Sequence, residues 1–115
     1  MFLKKRVKKE LLFEIILYAI VVGSIAFWHT NNNLVFTVLL IAWVVGMIFW
    51  HKKNDIVFFV VGAVVGSLSE IFCISYGAWL YTNPSYFGIP IWLPLGWGFA
   101  LLITKRFAEV LLNSK

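Results

Sequence analysis

Residues 56–81 read IVFFVVGAVVGSLSEIFCISYGAWLY, a long apolar run interrupted by one charge, Glu70. The run has enough residues to cross the roughly 30 Å hydrocarbon core of a bilayer as a helix, which takes about 17–25 residues. Glu70 follows Ile56 by fourteen positions, or roughly 21 Å at about 1.5 Å per residue. That depth lies in the outer half of the apolar span. A carboxyl there is costly, so it is expected to face a bundle interior or a wet cavity rather than lipid.

The helical period gives that face. At about 100° per residue, Gly62, Ala63, Gly66, Ser67, Glu70, Cys73, Gly77 and Tyr81 fall on one side of a helix over 56–81. Small residues let a neighbouring helix approach closely, and Gly62 and Gly66 have the GxxxG spacing. Gly62, Gly66 and Gly77 are therefore the expected helix-packing positions, with Glu70 among them. Desolvation at this depth favours the protonated acid, able to donate a hydrogen bond or a proton. A buried Glu can equally serve as interhelical glue.

Three further apolar stretches surround this one. Residues 11–28 and 34–50 precede it, and residues 91–112 follow, provided Lys105 and Arg106 extend their side chains toward headgroups. Backbone groups in lipid must be paired internally, and runs this long are not the short alternating strands of a barrel. The expected fold is an all-α polytopic membrane protein: four transmembrane helices in one small bundle, a single transmembrane domain over residues 1–115. Composition agrees. Hydrophobic residues make up 62% of the chain and charged residues 13%, against roughly 45–50% and about 25% in soluble domains.

Orientation follows from the bases. With the N-terminus in the cytoplasm, Lys4, Lys5, Arg6, Lys8, Lys9, Lys52, Lys53, Lys105, Arg106 and Lys115 all fall inside. The positive-inside rule then places both termini on the cytoplasmic side of a cell membrane. Trp28, Trp79, Tyr81, Tyr86 and Trp92 fall near the outer interface and Trp50 near the inner one, as an aromatic belt requires. Residues 11–28 are longer than the roughly 7–15-residue apolar part of a signal peptide, so an uncleaved first helix is expected. The net charge of +5 sits in clusters beside apolar runs, which fits anionic headgroups rather than nucleic acid.

The remaining polar residues carry little chemistry on their own. Glu10, Asp55 and Glu109 lie among cytoplasmic bases and read as solvated; Glu14 reads as interfacial, close to headgroups or nearby lysines. On this reading Glu70 is the one buried charge, with no countercharge within the membrane. His29 and His51 fall at opposite interfaces and cannot share a metal. Cys73 is the single cysteine, which excludes an internal disulfide and a multi-cysteine zinc site. No phosphate-binding loop, zinc-protease or hydrolase motif is present, and no cofactor or metal is expected. Proline in Asn83-Pro84-Ser85 rules out glycosylation there.

The densest stretch runs from Glu70 to Gly98. It reads Glu-x6-Gly-x-Trp-x-Tyr, then Asn-Pro, then Gly-Ile-Pro-x-Trp-x-Pro-x-x-Trp-Gly. Pro84, Gly88 and Pro90 break the helix and return the chain to the membrane, with Pro90 placed to open the fourth helix and Pro94 one turn in. Trp79, Tyr81, Tyr86, Trp92 and Trp97 are placed to roof a pocket above Glu70. Tyr81, Trp92 and Trp97 are the expected ligand-binding residues, and Glu70 is the candidate catalytic group. Ordinary aromatic-belt packing would give the same pattern.

This stretch resembles the carotenoid-hydratase-like family of bacterial and archaeal membrane proteins over roughly a quarter of the chain. Those proteins carry a membrane Glu, then glycine and aromatic positions, then a Gly-x-Pro loop before an aromatic-rich helix; they are longer and have helices this chain lacks. The resemblance implies an acid/base role for Glu70 and a long isoprenoid substrate. The stretch is also similar to small uncharacterised membrane proteins with the Gly-x-Pro-x-Trp-x-Pro pattern. Small multidrug transporters share the length and helix number, but their motif is absent around Glu14.

Three function classes stay open at this point. The first is a pocket centred on Glu70 that binds or modifies a lipid, an isoprenoid or another hydrophobic small molecule. The second is a subunit of a homo-oligomeric transporter or channel, or of a larger membrane complex, using Glu70 for protons or cations. The third is a non-catalytic membrane scaffold.

Overall fold

The computed structural model describes residues 5–50 and 54–112. Lys4, His51, Lys52, Lys53 and Lys115, which enter the orientation argument or the metal argument, lie outside the described residues, as do the side chains of Arg6 and Trp50. The described chain is four helices: α1 (Lys5–Trp28), α2 (Asn32–Trp50), α3 (Asp55–Ser75) and α4 (Leu93–Leu112). Among these residues there is no strand, only an isolated bridge between Tyr86 and Ile89. The α1, α2 and α3 helices are each long and apolar enough to cross a membrane.

Each boundary has a local cause. The α1 helix begins at Lys5 rather than at residue 11, because Lys5 to Glu10 includes good helix formers and neither Gly nor Pro. Asn31 caps α2, its side-chain oxygen accepting the Leu34 N–H at 3.1 Å. Asn54, at φ 70°, makes the turn into α3 in the left-handed region that Asn tolerates.

The α3 helix ends at Ser75, six residues short of the expected Tyr81. Gly77 adopts φ +80°. The Gly77 N–H then donates to Ile74 O at 2.9 Å, and the Ala78 N–H to Cys73 O at 3.0 Å. These are the two bonds of a Schellman stop. Gly77 is thus a helix terminator and not the packing residue expected, and a Cβ there would meet nothing within 4 Å. A two-residue turn at Phe87 and Gly88, both with positive φ, closes the Tyr86–Ile89 bridge. The chain enters α4 at Leu93, so Pro94, not Pro90, occupies the first helical turn, where a missing N–H costs nothing.

The α4 helix packs against each of the other three, most extensively against α3. Glycines set that seam. A Cβ on Gly62 would stand 2.7 Å from Trp97 O and Leu101 Cβ, and one on Gly66 would lie inside the Trp97 indole. Gly98 does the same from α4, where a Cβ would come within 2.8 Å of the Phe59 ring. Phe59 sits edge-on to Phe99 at 5.4 Å and tilted against Trp43 of α2 at 5.5 Å. This aromatic stack, with Val35, Leu39, Leu102 and Ile103, is the core.

Candidate functional site

Glu70 is buried on the α4-facing side of α3. Its carboxyl accepts three hydrogen bonds. Trp79 Nε1 donates to Oε1 at 3.2 Å, Tyr81 OH donates to Oε1 at 2.5 Å, and Trp97 Nε1 donates to Oε2. Indole nitrogens can only donate, so both carboxyl oxygens serve as acceptors.

The early end of α3 makes this cluster. Had the helix run on, Tyr81 would stand eleven residues beyond Glu70, roughly 16 Å along the axis. The chain instead doubles back after Gly77 and lays Trp79 and Tyr81 over the carboxyl. Trp97 arrives from α4 across Gly66. Burial first, and then the hydrogen bond and charge of Glu70, push the Tyr81 phenol above its ordinary value. Tyr81 therefore remains a donor at neutral pH.

The residues expected around Glu70 divide into three groups. Tyr81 and Trp97 bond to it directly. Trp92 does not: its ring meets Tyr81 edge-on at 6.3 Å, and its Nε1 donates to Asn32 Oδ1 at 3.1 Å. Trp92 is buried, so it does not belong to the aromatic belt, whereas Trp28, Trp79 and Tyr86 are exposed. Tyr86 makes the hairpin bridge away from Glu70.

Asn32 holds the loop in place. Its Nδ2 donates to Asn83 O at 2.6 Å and to Ser85 Oγ at 3.2 Å, while Asn83 Nδ2 donates to Asn32 Oδ1 and to His29 O, each at 3.0 Å. The loop over Glu70 is thereby tied to the α1–α2 turn.

A groove of about 250 Å³ borders Glu70. Val21, Val22 and Ile25 of α1 form one wall, and Trp92 just before α4 with Trp97 and Ala100 of α4 the other. Tyr18, Val22 and Ala100 are exposed, so the groove opens on the outside of the bundle. It is not the enclosed pocket anticipated, and Tyr81 does not line it; Tyr81 covers Glu70 from the loop side.

A second polar cluster joins the other ends of three helices. Arg106 Nη1 donates to Glu14 Oε1 at 3.0 Å and Arg106 Nη2 to Asp55 Oδ2, while Lys105 Nζ bonds Asp55 Oδ1 at 2.7 Å. Glu14, Asp55 and Arg106 are 1%, 0% and 3% exposed. The expectations that Glu14 is interfacial, that Asp55 is solvated and that Arg106 reaches for headgroups are all overturned. So is the expectation that Glu70 is the one buried charge. The physical reason is that α4 continues past Thr104 and carries Arg106 on the same stripe as Leu102, Ile103 and Val110. Buried charges need partners, and Arg106 finds two.

Among the described residues, no three His, Cys, Asp or Glu side chains converge as a metal site. Chemically, the Glu70 cluster can accept hydrogen bonds or a proton, and can hold a positive charge. Comparisons with protein-family models, curated proteins and solved structures return no match.

Proposed function

We propose that this chain is a four-span membrane protein with both termini cytoplasmic, and that it binds a hydrophobic ligand drawn from the membrane. The ligand lies in the α1–α4 groove with its polar end at Glu70. One observation carries the reading: an apolar groove, open on the surface of the bundle, borders a buried carboxyl that three aromatic donors hold in place. Apolar clefts with few convergent polar groups are the usual form of small-molecule sites.

The transport alternative is less well supported. A proton or cation passing from Glu70 toward Arg106 would have to cross the interval of α4 that carries Phe99, Leu102 and Ile103, all buried and apolar.

The reading predicts that hydrophobic molecules co-purify with the protein and are identified by mass spectrometry of a solvent extract. Ala100→Trp should fill the groove from an exposed position on α4 and deplete them. Wild-type and Ala100→Trp proteins with the same lipid complement would overturn it.

A further inference from the structure

The donors at Glu70 share a property: two indoles and a phenol are all neutral. All three donate to the carboxyl, an arrangement that serves a carboxylate rather than the proton-donating acid expected from depth alone, and none of the three cancels its charge. Among the described residues, no Lys or Arg pairs with Glu70; the ion pairs lie at the opposite end, with Asp55, Glu14 and Glu109. Charge left in a low-dielectric site is costly unless a partner meets it. The carboxylate also keeps an acceptor position. It offers about four; Oε1 takes Trp79 and Tyr81, and Oε2 takes Trp97 alone. Glu70, Trp92 and Trp97 all border the groove. Indole faces attract cations, most strongly where water is displaced.

We infer that the groove takes an apolar chain ending in an ammonium group, the ammonium seated at Glu70 beside Trp97 and Trp92 and the chain running along α1 and α4. This rests on the ligand-binding reading above and adds the chemical class. An anionic head group would meet the Glu70 charge, and a neutral alcohol would leave it uncompensated. At about 250 Å³, the groove falls below the roughly 300–1,000 Å³ of ordinary ligand pockets. It therefore suits a single chain better than a fused ring system. The ammonium can come from a phospholipid head group or from a free lipophilic amine, and the test separates these sources.

The experiment is native mass spectrometry of the intact protein released from a non-ionic detergent. The probes are decyltrimethylammonium, decylamine, decanol, decyl sulfate and short-chain phosphatidylcholine. The wild-type protein should retain a 1:1 ammonium adduct at least about tenfold more tightly than decanol, or about 1.4 kcal/mol, and should not retain the sulfate. Glu70→Gln should erase the preference for ammonium over alcohol. Retention of phosphatidylcholine alone, or of the free amines alone, would each support the assignment and name the source.

Decanol or decyl sulfate bound as well as the ammonium compounds, and expelled by Ala100→Trp, would overturn the ammonium class while leaving the groove reading standing. No probe retained by the wild-type protein would overturn both. Comparison of head groups on the wild-type chain needs no variant, so the outcome does not depend on whether Glu70→Gln folds.

Discussion

Arg106 of α4 and Glu14 of α1 form a 3.0 Å ion pair between side chains that are 3% and 1% exposed. Arg106 also holds Asp55 of α3, so one guanidinium ties three helices together. Removing one member of a buried pair leaves a charge behind and typically costs about 3–5 kcal/mol. Arg106→Met should destabilise the bundle by that order in a denaturing-detergent titration. Combining it with Glu14→Leu should cost less than the sum of the two single changes. Simple additivity would mean that the pair does not act as a unit.

The α3–α4 seam predicts a contrast among glycines. Gly66→Ala puts a methyl inside the Trp97 ring position, so Trp97 must move and release Glu70. Its fluorescence should shift and stability should fall. Gly23→Ala meets nothing within 4 Å and should be neutral or stabilising by about 0.5–1 kcal/mol, because Ala orders a helix at lower entropic cost. Val65→Leu, at an exposed position, should be mild. Equal effects of Gly66→Ala and Gly23→Ala would refute the seam.

The three donors to Glu70 are not equivalent. Trp97 is the donor to Oε2, whereas Trp79 shares Oε1 with Tyr81 and is exposed. Trp97→Phe should therefore cost about 1–3 kcal/mol, the usual penalty for stranding a buried polar group. Trp79→Phe should cost distinctly less. Unfolding curves that rank Trp79 above Trp97 would contradict this geometry.

Tyr81 gives an alkaline signature. Its folded phenol holds its proton above the ordinary value near 10, so the unfolded phenol ionises first. The stability this contributes is intact below about pH 10 and is lost as pH rises above it. Tyr81→Phe should flatten the alkaline decline, whereas Tyr86→Phe, at an exposed position, should leave it unchanged. Ultraviolet titration of the folded protein should find one fewer late-ionising tyrosine in Tyr81→Phe only.

Topology can be read by thiol labelling in a Cys73→Ser background. Thr30→Cys and Thr82→Cys, both exposed, should react with an impermeant reagent in intact cells. Ala108→Cys, exposed near the end of α4, should react only after permeabilisation. Labelling at Ala108 from outside would mean that α4 does not cross.

Much of α3 was legible from its sequence because its inward face is compositionally distinct. Gly62, Gly66, Ser67 and Glu70 stand out against valines, and the structure buries all four. The faces of α1 and α4 were harder to find, since lipid-facing and core-facing residues are equally apolar in a membrane. Even so, their few polar residues mark them. Glu14 and Ser24 share the buried stripe of Leu17 and Val21, and Arg106 shares that of Phe99, Leu102, Ile103 and Val110. Grouping the charges by sequence neighbourhood hid this, because the partners lie far apart along the chain. The period alone also carried α3 through to Tyr81. Gly77 was the stop signal, but a glycine in a glycine-tolerant membrane helix reads as packing until its φ is known. The Asn32–Asn83 tether joins residues 51 positions apart, and no local pattern announces such a pair.

The central position of α4 bears on how the protein is made. Of the four helices it leaves the ribosome last, yet it is the one that packs against every other. Helices in a bilayer associate through side-chain packing and interhelical hydrogen bonds, which need the partner helix to be present. Among the described residues, α1 and α2 pack on each other, whereas α3 makes its close helix contacts with α4 alone, and α4 brings both Arg106 and Trp97. Docking of α3 is thus expected to await α4, and nascent chains stopped at residue 92 should be surrendered to membrane proteases as an α1–α2 pair with α3 undocked.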